Sequence, residues 1–122
     1  MTKVYKFEHA EPGNSCRILG RAIDDTSAVA RVVQGIVNNT YILIVNGKKP
    51  YLNMRVRLSP LTYVQQPEYW GIEVLGCVSG ILPPTIGTYD ESLPLDGIRG
   101  TVGIEVIWSD GDTEKIDVPP KC

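Results

Sequence analysis

The stretches "YWGIEVLGC" (69–77) and "TVGIEVIWS" (101–109) alternate apolar and other side chains and share the motif "GIEV". Successive side chains of an extended chain point to opposite faces, so such alternation fixes a strand apolar on one face only. Trp70, Ile72 and Val74 oppose Gly71, Glu73 and Leu75; in the second copy Val102, Ile104, Val106 and Trp108 oppose Gly103, Glu105 and Ile107. The stretch "YLNMRVRL" repeats the rule, with Leu52, Met54, Val56 and Leu58 opposing Asn53, Arg55 and Arg57. This pattern suits an antiparallel sheet with one face on a core.

"KVYKFEHA" and "CRILGRAI" read as short strands, and "YILIV" and "YLNMRVRL" flank "NGKKP" as the two arms of a hairpin. Residues 25–39 read as the one helix. Asp25 or Thr26 caps it, Val29, Val32, Val33, Ile36 and Val37 form an apolar stripe, and Asn38–Asn39 supplies a left-handed exit. Its valines and Gly35 are unfavourable for helix. The expected fold is α+β: one domain over 1–122, mostly antiparallel sheet with one helix packed on a face. If 25–39 is extended, the alternative is an all-β sandwich or barrel.

"SDGDT" sets the register of the last hairpin. A two-residue Asp-Gly turn would put charges on the core face. A three-residue loop, Asp110-Gly111-Asp112, instead pairs Val106 with Ile116 and Ile104 with Val118. It also places Glu105 opposite Asp117, a like-charge pair that needs compensation. Residues 46–58 hold Lys48, Lys49, Arg55 and Arg57 and no acid, whereas 85–118 are dominated by acids. Arg55 or Arg57 is therefore expected beside Glu73, Glu105 or Asp117, across the sheet or across a homodimer.

Residues 79–100 read as a long loop rich in proline and glycine, too apolar for a solvated linker. With Tyr69 beside it, the loop supplies the expected partner-binding residues: Leu82, Ile86, Tyr89, Asp90, Glu91, Leu93 and Leu95. Aromatic residues gather just before the first "GIEV" strand as Tyr63, Tyr69 and Trp70.

Composition narrows the function classes. With 43% hydrophobic and 21% charged residues the chain is globular, and a net charge of −2 argues against general binding of nucleic acid or anionic membrane. No run is long enough for a helical membrane span, and "MTKVYKFEHAEPG" has no secretory apolar core. Three cysteines without C-x-x-C spacing suit reduced cytoplasmic thiols, with a Cys16–Cys77 bridge as the alternative in an exported chain.

Catalytic vocabulary is sparse. Glu73 and Glu105 or Asp117, with Arg55 or Arg57 orienting an anionic substrate, would make a small hydrolase or lyase if their face forms a groove. On an ordinary sheet face the same glutamates serve only solubility. Cys77 with His9 lacks any spacing that brings the two together, and Asp110, Asp112 and Glu114 lack the pattern of a calcium loop. No metal or cofactor is expected. The reading is a soluble non-catalytic module, of a size that suits an immunity-type or inhibitor-type role. It would recognise a protein or small ligand through the 79–100 loop and a charged sheet face.

Overall fold

The computed structural model describes residues 14–80 and 85–118. Its strands are β1 (Asn14–Ile18), β2 (Ala22–Ile23), β3 (Thr26–Ser27), β4 (Val29–Gln34), β5 (Tyr41–Lys49), β6 (Arg55–Pro60), β7 (Tyr69–Ser79), β8 (Gly87–Pro94), β9 (Gly103–Ile107) and β10 (Thr113–Asp117). Strand β7 organises the larger sheet. It pairs with β6 on one edge, while β1 and β9 divide the other, β1 against residues 75–79 and β9, in parallel, against 69–73. Strand β10 extends this sheet beyond β9, and β4-β5-β8 form a second, antiparallel sheet. Leu43 and Val45 of β5 meet Ile72 and Val74 of β7 and Ile104 and Val106 of β9 in one buried cluster, so two open sheets enclose a single core.

The expected helix is absent. Residues 25–39 carry β3, β4 and the turn into β5, and no α-helix occurs among the described residues. The valines alternate across an extended strand: Ala30 is buried and Val32 half-buried, while Val29 and Arg31 are exposed. Stiff β-branched side chains suit that pleated surface. Asn39 does take a left-handed φ of 67°, but inside a tight turn closed by the Gly35 N–H donating to the Thr40 carbonyl. The α+β assignment is thereby corrected to an almost wholly β architecture with open sheets and no barrel.

Two pairings also change. Strand β5 does not form a hairpin with β6; it pairs with β4 and β8, and the chain crosses to the other sheet through residues 50–54. The 79–100 segment is not one loop, because β8 runs along β5 from Gly87 to Pro94. Tyr89 and Leu93 face inward there, but Glu91 shares their side and breaks the alternation that would have announced a strand.

The last hairpin has a three-residue loop shifted by one position, Ser109-Asp110-Gly111. Gly111 at φ 75° takes the final loop position, where a left-handed residue is required. Trp108 then pairs with Asp112, Ile104 lies opposite Ile116, and Glu105 lies opposite Lys115 rather than Asp117. The apolar parity survives and the like-charge clash disappears.

Cys16 and Cys77 face each other directly across β1 and β7 and are joined by a disulfide. This is the bridge that the cysteine count placed second to free thiols. Among the described residues no helix is long and apolar enough to cross a membrane.

A tight crossing locks the end of the larger sheet. The carbonyls of Pro67 and Glu68 accept from the N–H groups of Thr101, Val102 and Gly103, and a Cβ on Gly100 would run into the Glu68 backbone. Gly100→Ala should therefore cost about 3 kcal/mol in urea unfolding, since a backbone obstruction cannot rotate aside. Gly80→Ala, at φ 71° but facing open space, should cost only the ~1 kcal/mol of left-handed strain. Reduction of the disulfide, which spans a sequence separation of 61, should lower stability by about 2–4 kcal/mol, read as a shift of the urea midpoint.

Candidate functional site

The two "GIEV" strands are direct neighbours, but their glutamates are not. Glu105 lies beside Gly71, and Glu73 beside Ile107, a diagonal offset on one face. The space above Gly71 is filled: a Cβ there would meet Leu61, the Tyr63 hydroxyl and Ile107. Glu73 is only 8% exposed. The carboxylates thus flank packed side chains rather than an open groove.

Asp117 is engaged elsewhere. Tyr69 and Asp117 both register on Gly103, and across that missing side chain the Tyr69 hydroxyl donates to Asp117 Oδ1 at 2.7 Å. This bond, with lesser help from desolvation and from the charges of Asp117 and Glu68, raises the Tyr69 pKa above its ordinary value. Lys115 lies 5.1 Å from the same ring.

Arg55 and Arg57 sit on β6, across the gap from Asp90 and Glu91 of β8, where they line an open cleft of about 460 Å³. Within the sheet Arg55 lies opposite Cys77 and Arg57 opposite Leu75, and Ser59 rather than an arginine lies opposite Glu73. The expected partner-binding residues scatter. Ile86 and Asp90 are exposed and Glu91 and Leu93 half-buried, while Tyr89 and Leu95 belong to the core; Leu82 lies outside the described residues.

Three connections come together at the opposite end of the sandwich: the β4–β5 turn, the β6–β7 segment and the stretch after β8. Between them lies a cleft of about 720 Å³, within the range of ligand sites. Its aromatic wall is Tyr63 and Trp70, packed edge-to-face with ring centres 5.1 Å apart. Trp70 Nε1 donates to the Leu61 carbonyl, and the Gly71 N–H donates to the Tyr63 hydroxyl, so both rings are fixed. Opposite stands Arg99, 5.2 Å from the ring centre of Tyr41, with its own carbonyl held by Gln66 Nε2. Asn38, Asn39 and Asp96 complete the polar lining. Val64, which lines the cleft, is fully exposed; Ile36, just before the lining segment 38–41, is fully exposed too, and Val37 largely so.

Of these residues the aromatic grouping before β7 was legible through Tyr63 and Trp70. Tyr41 and Arg99 were not, because their meeting depends on β5 and β8 pairing across the second sheet. The only advance signal for Arg99 was its being, with Lys115, one of the few cations in an acidic stretch. Comparison with family models, curated proteins and solved structures finds no match to this chain.

Tyr89, expected at the binding surface, is instead 7% exposed and faces Trp108 within the core. Neither its hydroxyl nor Trp108 Nε1 has a hydrogen-bond partner among the described residues. Burial raises the Tyr89 pKa, opposed in part by the Trp108 side chain and the Arg21 charge. A raised folded pKa contributes stability below the unfolded value near 10, and that contribution is lost as pH rises through the folded value. Tyr89→Phe should leave neutral-pH stability within about 1 kcal/mol of wild type or increase it, since an unsatisfied buried hydroxyl is removed. The same variant should also lose stability less steeply in thermal melts above pH 10.

Proposed function

We propose that the protein is a non-catalytic binding module that takes a segment of another protein into the end cleft. One observation carries this reading: Val64, fully exposed, lines the cleft beside a fixed aromatic wall, and the exposed Ile36 and Val37 directly precede its lining segment 38–41. A single exposed aliphatic residue is ordinary. One in the wall of a concave aromatic surface, with two more beside its lining segment in sequence, suits apolar contact with a partner. The frame around the cleft is hydrogen-bonded in advance, so little ordering accompanies binding. The filled space between Glu73 and Glu105 weighs against an acid–base pair on the outer face. The disulfide supports an oxidising compartment rather than the cytoplasm inferred from the number of cysteines.

The test is selection of random displayed peptides on the whole chain, followed by backbone-amide shift mapping of the strongest binder. Shifts are expected at residues 36–41, 63–70 and 95–99. The double variant Ile36→Ser, Val64→Ser should bind that peptide at least tenfold more weakly while melting at an unchanged temperature, as loss of two buried aliphatic contacts requires. Peptides that bind only elsewhere, or that ignore the double variant, would refute the reading.

A further inference from the structure

The cleft also constrains the chemistry of what enters it. Arg99 is half-buried, and its Nη1 is shielded from solvent without a hydrogen-bond partner among the described residues. No carboxylate of those residues lies within ion-pair distance of it, although Asp96 lines the same cleft. The other half-buried cations among the described residues are engaged: Arg21 binds Glu114 and lies over Trp108, Lys48 lies 3.5 Å from Asp24, and Lys49 donates to the Met54 carbonyl. The Tyr41 ring, 5.2 Å from the Arg99 guanidinium, attracts it without neutralising it.

A guanidinium held dry along one edge attracts an anion at its other edge more strongly than a solvated one would. Its planar fork matches two oxygens of one acid group. A phosphate dianion is the poorer match, because among the described residues Arg99 is the only cation lining the cleft and Asp96 stands nearby. We propose, resting on the binding reading above, that the cleft selects a carboxylate of its protein partner. Arg99 receives the acid group, and Tyr63 and Trp70 take the adjoining apolar or aromatic side chain. The carboxylate comes either from a chain terminus or from an acidic side chain.

The experiment uses isosteric probes differing only in charge. N-acetyltryptophan and its amide represent a terminus; acetyl-Trp-Glu amide and acetyl-Trp-Gln amide represent a side chain. Binding to the whole chain is followed through the side-chain N–H signals of Arg99 and Trp70. In at least one pair the acid should move both signals and bind roughly tenfold more tightly than its neutral twin, the worth of a charge-assisted hydrogen bond. The preferred pair identifies the source of the acid.

Arg99→Gln should abolish the difference and Arg99→Lys should retain part of it. The wild-type signals give the answer even if these variants fail to fold. Equal binding of acid and amide overturns the carboxylate proposal, and shifts at Trp70 would then leave the cleft reading standing. Stronger displacement of the Arg99 signal by inorganic phosphate than by either acid also overturns it. If no probe moves either signal the proposal fails, and if selected peptides also bind elsewhere the cleft reading fails with it.

Discussion

Everything in this fold depends on the central strand β7 having both backbone edges occupied. A buried strand must pair its N–H and C=O groups, and at Tyr69–Ser79 no single neighbour is long enough to cover one whole edge. Two strands share it: β1 serves the C-terminal part and β9 the N-terminal part, running in opposite directions. They meet where the Leu19 N–H donates to Val74 and the Leu19 carbonyl accepts from Ser109. That junction determines where β9 ends and Trp108 turns inward, and so where the last hairpin begins.

The end cleft follows from the same arrangement. Because β9 must enter beside Tyr69, the residues before it are drawn against the 67–68 backbone, and glycine at 100 permits that approach, as glycine at 103 permits the approach of β10. Arg99 is the residue immediately before the locked position. Its side chain is therefore presented by a rigid crossing, whereas Ile36 and Val64 stand on turns. The cleft thus joins an arginine set by a backbone crossing to two aromatic rings held by hydrogen bonds.

The parts legible from sequence were those governed by local alternation. The faces of β7 and β9, the even parity of the last hairpin and the inward Met54 and Val56 needed only a period of two. The misreadings arose where two local signals competed. In 25–39 an apolar stripe at helical spacing coexisted with β-branched residues, and tertiary pairing with β5 decided for strand. In β8 an inward Glu91 and the flanking prolines hid a strand whose extended form depends on β5. Strand order was beyond reach for a related reason: β5 leads in sequence to β6 but packs between β4 and β8. The cleft was only partly legible because Tyr41, Trp70 and Arg99 come from three separate stretches of chain.

The parallel contact between β7 and β9 bears on how quickly the chain reaches this structure. A parallel pair cannot close as a hairpin; the intervening chain must first cross to the other sheet and lay down β8. Non-local pairings of this kind slow folding, on the order of milliseconds to seconds for all-β domains. The order of events then depends on the cysteines. A chain already oxidised enters its search with β1 tethered to β7, one edge of the central strand half assigned. A reduced chain must find that edge by diffusion, with the β7 edge open to wrong partners until it does.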